Sequence, residues 1–387
     1  MRTVTDMISR DQIEAARAVV ADVVRPTQVI ESRYLSRVTG GTIALKTENL
    51  QRTGSFKLRG ALNKIAQLGP ETRGVVTASA GNHGQSLAYA ARARGLSATI
   101  FMPERAALAK IAAARESGAE LVLRGDSIDA CVDDARAHAE AEGLAFVHPF
   151  DDPAVIAGQG TIGLELLEEV PDLSKVLIPV GGGGLAAGVA AAIKSSRDDV
   201  EVVGIRSLCP LADGIAVKQP GEITGPLLER LLDETVSVDE DSIADAIMLL
   251  LERTKLVVEG AGAVGVAALR RAATAPAELG TTVVILSGGN IDTGVLADIA
   301  RHHETERGRR LRVFTTIQDE PGSLAALLTR LGEGGANLID IAHVREAVGL
   351  SVGQTGVELV METRGPDHTE RLLATISEGG YSVNVLD

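Results

Sequence analysis

The sequence predicts an α/β protein: a large region built on parallel sheet with helices on both faces, then a smaller domain of βαββαβ order. Three observations predict it. From about residue 42 to residue 290, short β-branched runs alternate with longer Ala-rich stretches of helical period, the rhythm of βαβ units whose strands are buried on both faces. Gly-rich turns directly follow several of those runs. Beyond residue 310 the order of the runs becomes strand, helix, strand, strand, helix, strand, the ferredoxin-like plan.

Residues 1–25 are polar and periodic, without an apolar core of signal-peptide length. No run reaches the roughly 20 apolar residues of a membrane span, so the expected location is cytoplasmic. In the large region the expected strands are GVVTAS (74–79), ATIFM (98–102), ELVL (120–123), KVLIPV (175–180), EVVGI (201–205) and TVVILS (282–287). Ligands of such sheets bind beyond the carboxyl ends of the strands. Chemistry is therefore expected in the loops 79–84, 181–185 and 287–290. The charged stretch 303–310 has no apolar period and reads as a linker between a catalytic region, 1–302, and a second domain, 311–387. That domain should run LRVFTTI, a Pro-Gly turn, a helix over 323–332, ANLIDIAHVR, TGVELVMET, a helix over 367–378 and YSVNVL.

Composition narrows the function. The chain has 387 residues, 45% hydrophobic and 23% charged, ample for roughly two or three domains with a large core. Its formal charge of −14 repels phosphate backbones and anionic membranes. Any phosphate bound here must be held by local geometry. Aromatic residues make up 2% and Trp is absent, which leaves no stacking face for single-stranded nucleic acid. Cys131 and Cys209 stand far apart with no metal-ligand spacing, so neither a disulfide nor a zinc site is expected.

Four segments carry chemistry. In Thr53-Gly54-Ser55-Phe56-Lys57, Ser55 is placed to cap a helix whose first turn presents Lys57. The positive end of a helix favours a neutral amine, as a Schiff-base lysine requires. Alone, Lys57 also reads as a solvated surface residue. Ser79-Ala80-Gly81-Asn82-His83-Gly84 ends a strand and opens a helix, so its N–H groups form an anion site suited to a substrate carboxylate. His83 reads better as a brace behind the loop than as a base, and no chemistry is assigned to it. Gly181-Gly182-Gly183-Gly184-Leu185 lies between a strand and an Ala-rich helix and can close around a phosphate. A weaker rival is a dinucleotide fingerprint from Gly181, Gly183 and Ala186, with Glu201 as the ribose-binding acid. Such a fingerprint normally opens the first βαβ unit, and here several units precede it. Ser287-Gly288-Gly289-Asn290 ends the last strand of the region and by itself is a tight turn.

Taken together, KTENLQRTGSFKLRGA, TASAGNHGQSLAYAA, PVGGGGLAAG, LADGIAVKQPGE, KLVVEGAGA and LSGGN make a chain that resembles the fold-type II (tryptophan synthase β-like) pyridoxal-phosphate enzymes, most closely the threonine ammonia-lyases. The resemblance covers almost the whole chain. It implies pyridoxal 5'-phosphate as cofactor, carried by Lys57, with Phe56 against its ring and Asn82 on its phenolic oxygen. It further implies that Gly181, Gly182, Gly183, Gly184 and Leu185 hold the phosphate and that Ser287 meets the pyridine nitrogen. Ser79, Ala80, Gly81, Asn82 and His83 would bind the substrate. The implied reaction turns L-threonine into 2-oxobutanoate and ammonia, or L-serine into pyruvate.

The final domain, with Asp319-Glu320-Pro321-Gly322-Ser323-Leu324, resembles an ACT-like regulatory domain. In that family such domains bind amino-acid effectors or join subunits, which implies a homo-oligomer, dimer or tetramer. One departure stands out: the segment between Gly204 and Leu211 is short, and Arg206 occupies a place where relatives often carry a metal-binding Glu. No metal is expected. Serine dehydratase or racemase activity on the same fold is an alternative, as is an amino-acid sensor that has lost catalysis. Joint retention of Lys57, Asn82, the glycine loop and Ser287 counts against the sensor. Ala80 counts against the racemase, because racemases resembling this family carry Ser there, and Ala has no proton to deliver from the face opposite Lys57.

Overall fold

A computed structural model describes residues 8–345 and 350–386. The chain forms two compact units, Met1–Asp292 and Thr293–Asp387. The first holds two sheets. In the six-stranded one the order is Val29–Glu31, Thr42–Lys46, Thr281–Ile285, Leu173–Pro179, Glu201–Arg206, Glu234–Ser237. Only the first pair is antiparallel. The four-stranded sheet is wholly parallel, in the order Glu120–Leu123, Ser97–Met102, Gly74–Ala78, Ala145–Phe146. Its strands all lie between Thr42–Lys46 and Leu173–Pro179 in sequence, so a smaller lobe is inserted into the larger one. The central strands are buried at nearly every position, as parallel strands covered on both faces must be.

Helix Pro153–Glu169 lies at the core of the large lobe, begun by Asp152, whose carboxylate accepts from the Ala154 and Val155 N–H groups. Helix Lys57–Ala66 packs directly on it. A Cβ on Gly158 would stand 2.6 Å from the Arg59 carbonyl oxygen, and one on Gly60 would stand 2.4 Å from Gln159 Nε2. Only two glycines let the backbones meet this closely.

A buried charge network fixes the same helix. Arg59 Nε and Nη2 donate to Glu48 at 2.9 and 2.8 Å, and Nη1 and Nη2 donate to Glu165 at 2.5 and 2.9 Å. Lys46 Nζ adds bonds to Glu165 at 2.7 Å and to Glu169 at 2.9 Å. Burial opposes the charge on Arg59, but Glu48 and Glu165 outweigh it and hold the guanidinium above its ordinary value. Every charge in the network has a partner, the condition under which ions persist in a protein interior.

The second unit has a four-stranded antiparallel sheet in the order Asn337–Val344, Gln354–Glu362, Arg310–Gln318, Asn384–Val385. Helices Ser323–Glu333 and Pro366–Glu378 bury Leu327, Leu331, Leu372 and Ile376 in its core. The expected linker over 303–310 is corrected here: helix Thr293–Glu306 runs through its first half, and strand Arg310–Gln318 begins at its end. That helix belongs to the second unit, so the boundary falls after Asp292 and not after residue 302. The charged period misled because this helix buries little besides Ile299 and His303.

Candidate active site

Lys57 is the first residue of its helix. Its amine donates to the Pro149 carbonyl at 2.8 Å and lies 5.3 Å from the centre of the Phe56 ring. Loss of water around the amine lowers its pKa to about 8, against an opposing pull from Glu259. Ser55 does not cap the helix. Phe56 occupies the cap position without a side-chain bond, and the buried Ser55 hydroxyl has no partner among the described residues. Ser55 instead pairs with Gly288 across a short antiparallel bridge. The Phe56 N–H donates to the Ser287 carbonyl at 3.1 Å, and the Gly289 N–H donates to the Gly54 carbonyl at 2.9 Å. The lysine segment and the Ser287 turn are thereby joined. The Ser287 hydroxyl is buried and, among the described residues, reaches only the Ala261 carbonyl, at 3.4 Å.

Helix Asn82–Ala93 opens at Asn82. The Asn82 Nδ2 donates to Glu259 at 2.7 Å, and its Oδ1 accepts from Asn290 Nδ2 at 2.7 Å. This brings the second segment to the fourth. His83 is buried and faces the Val147 carbonyl at 3.3 Å through Nε2. Burial first, and then the neighbouring Lys57, push its pKa down to about 3. It is a neutral brace behind the loop. Ser79 Oγ accepts from the Gly81 N–H at 3.2 Å, which shapes the turn that also holds the partly covered Ala80.

The glycine loop follows strand Leu173–Pro179 and opens helix Gly184–Lys194. A Cβ on Gly182 would stand 2.4 Å from the Phe150 ring, and Gly183 adopts φ +96°. Thr224 donates to the Gly182 carbonyl at 2.6 Å. Among the described residues, none of the N–H groups of Gly181, Gly182, Gly183, Gly184 and Leu185 donates to a protein acceptor, although all five residues are buried. Buried donors left without partners are rare in proteins. Five in succession at a helix start form a cradle that fits a phosphate.

Two features escaped the sequence reading. Segment 147–151 is the hub of the site. Val147 receives His83, Pro149 receives Lys57, and Phe150 covers the glycine loop. Asp151 accepts from the Glu222, Ile223 and Thr224 N–H groups at 3.0 Å each. His148 Nδ1 accepts from the Phe150 and Asp151 N–H groups, and burial lowers its pKa to about 4. No glycine or motif marked this stretch. The second is Glu259, whose carboxyl is pushed up to about 7, first by burial. An acid inside the apolar run KLVVEGAGA was the available signal.

Arg206 donates to the Val217 and Lys218 carbonyls. Among the described residues no cluster of His, Cys, Asp and Glu could hold a metal ion, and no helix is long and apolar enough to cross a membrane. An amine of lowered basicity, a phosphate cradle, an Asn amide and a buried Ser hydroxyl converge here, and this donor set fits pyridoxal phosphate.

The model of a family described as pyridoxal-phosphate dependent enzyme matches residues 20–288. An L-threonine ammonia-lyase of Thermotoga maritima is 44% identical over 402 residues, covering 98% of this chain and 100% of that protein. The crystal structure of a T.th. threonine deaminase is 41% identical with a TM-score of 0.68, covering 73% of this chain and 99% of that one. A crystal structure of a pyridoxal 5'-phosphate-dependent aspartate racemase is 33% identical with a TM-score of 0.71, covering 75% and 98%. The chain belongs to the family of pyridoxal-phosphate dependent enzymes and stands within it among the L-threonine ammonia-lyases.

Proposed function

We propose that this chain converts L-threonine to 2-oxobutanoate and ammonia, and L-serine to pyruvate, with the residues below in the roles given. The observation that carries the assignment is the row of unpartnered N–H groups in the glycine loop, joined through the 149–150 segment to the Lys57 amine. Pyridoxal phosphate, when bound, supplies an electron sink for the charge left on a carbon that loses its proton.

The protein's own groups do the rest. Lys57 would hold the cofactor, and its amine would take the α-proton at Nζ; with a pKa of about 8 it is partly neutral near neutral pH. The N–H groups of Gly181, Gly182, Gly183, Gly184 and Leu185 bind the phosphate. Asn82 would meet the ring oxygen, and Phe56 would lie against the ring. Ser287 would present a neutral hydroxyl to the ring nitrogen, which would not keep that nitrogen protonated and so would suit elimination better than transamination. The turn formed by Ser79, Ala80, Gly81, Asn82 and His83 receives the substrate carboxylate at the start of a helix. The β-hydroxyl would leave as water, taking back the proton held at Lys57 Nζ, and hydrolysis of the free enamine in solution would give the 2-oxo acid and ammonia.

Lys57→Ala tests the assignment. The variant should lose the visible absorbance of bound cofactor, and 2-oxobutanoate formation should fall by on the order of a thousandfold. Turnover at the native rate would refute it.

For the second unit the proposal is an ACT-like regulatory domain that binds an amino-acid effector or joins subunits of a dimer or tetramer. Its βαββαβ order supports the reading, as does an edge strand, Asn337–Val344, that leaves Leu338 39% and Ile339 55% exposed.

A further inference from the structure

The Asn82 amide sits in a chain of hydrogen bonds whose direction is fixed from one end. It begins at the Thr53 carbonyl, which can only accept. Asn290 Nδ2 donates to that carbonyl at 2.9 Å and to Asn82 Oδ1 at 2.7 Å. Asn82 Nδ2 must then point the other way, where it donates to Glu259 Oε1 at 2.7 Å. Turning the amide over would set two oxygens and two N–H₂ groups against each other at that same spacing. One N–H of Asn82 remains without a partner among the described residues.

We propose that Glu259 is a positioning residue for the cofactor. By accepting one Asn82 N–H while Asn290 holds the amide oxygen, it locks Asn82 as a hydrogen-bond donor to the cofactor's ring oxygen. The inference rests on the pyridoxal-phosphate lyase reading above and adds to it a reason for an acid in the site. Gly288 makes room for the acid, since a Cβ there would stand 2.1 Å from Glu259 Oε1. The Glu259 N–H also donates to the Gly288 carbonyl at 3.1 Å, so the acid and the Ser287 turn move as one.

The lock is sensitive to pH. The carboxyl is raised to about 7, by burial first and also by Asp213, while the Asn82 bond, Lys110 and Lys57 act in the opposite direction. Asp213 and Lys110 form an ion pair between the short helix Pro210–Ile215 and helix Leu108–Glu116. Above about pH 7 the ionised Glu259 is a strong acceptor, and below it the neutral acid is a weaker one.

The test titrates pyridoxal phosphate into the full-length apo chain across pH, following the visible absorbance of the bound form. Native chain should bind more weakly as pH falls through about 7. Glu259→Ala and Asn290→Ala should each weaken binding by about tenfold and shift the absorbance band. Glu259→Gln, whose amide oxygen accepts the same N–H, should restore affinity near that of native chain at high pH and flatten the dependence near neutrality to the part set by the Lys57 amine. Native affinity and band in Glu259→Ala would overturn the proposal, as would Glu259→Gln falling as far as Ala. Should Glu259→Ala fail to fold, Asn290→Ala decides alone, because Asn290 is exposed; native binding in that variant also overturns the lock. A native chain that binds no pyridoxal phosphate contradicts the functional reading instead.

Discussion

His83 shows what one buried side chain does to the pH response of the protein. Its Nε2 faces a carbonyl and so carries the proton, while its Nδ1 is buried without a partner among the described residues. Its pKa of about 3 lies below the ordinary value of 6.5, so the unfolded chain takes up a proton first as pH falls. Stability present above about pH 6.5 is therefore lost toward pH 3, with about 2 kcal/mol gone by about pH 5. His148, lowered to about 4, adds to the same slope. Urea unfolding across this range should give a shallower slope for His83→Gln than for native protein. Equal slopes would show that His83 is not the source. For Ala80 the proposal concerns the outcome of the reaction rather than stability. Native enzyme given L-serine should form pyruvate far faster than D-serine, and Ala80→Ser should raise the D-serine share by supplying a second exchangeable proton. D-serine appearing as fast as pyruvate in native enzyme would refute the single-base reading.

Helix Lys57–Ala66 has no side-chain cap, yet it must present Lys57 accurately. Two charge-assisted forks from Arg59, in the first turn of the helix, anchor that end instead. Arg59→Ala should cost about 3–5 kcal/mol, because Glu48 would be left buried without its cation. A loss below about 1 kcal/mol in urea unfolding would mean that the network does not hold the helix. Elements of this kind were unevenly legible. The long buried strands Gly74–Ala78, Leu173–Pro179 and Thr281–Ile285 stood out as β-branched runs ending in glycine turns. The short strands Val29–Glu31, Ala145–Phe146 and Glu234–Ser237 did not, since they lack an apolar run like that of Glu120–Leu123 and exist only through a neighbour. The Ser55 cap failed for a related reason: local propensity favoured it, but pairing with Gly288 turned the residue into sheet-like backbone.

At the scale of the whole molecule, the division after Asp292 gives a direct experiment. A chain of residues 1–292 should fold, bind pyridoxal phosphate and turn over threonine, with altered assembly or amino-acid response relative to the full chain. A truncated protein that binds no cofactor would show that the second unit is needed to complete the first. The sequence by itself determined the class of fold, the four chemical segments and the βαββαβ plan, because periodicity, glycine turns and helix starts are local properties of the chain. It also singled out Lys57, Asn82, the glycine loop and Ser287. Only the tertiary structure decided how they meet. The bond from Phe56 to Ser287 spans more than half the chain, Glu259 reaches Asn82 from another lobe, and segment 147–151 ties the lysine to the glycine loop with no motif of its own. Such partners are chosen by packing between elements remote in sequence, and neither spacing nor composition records that choice.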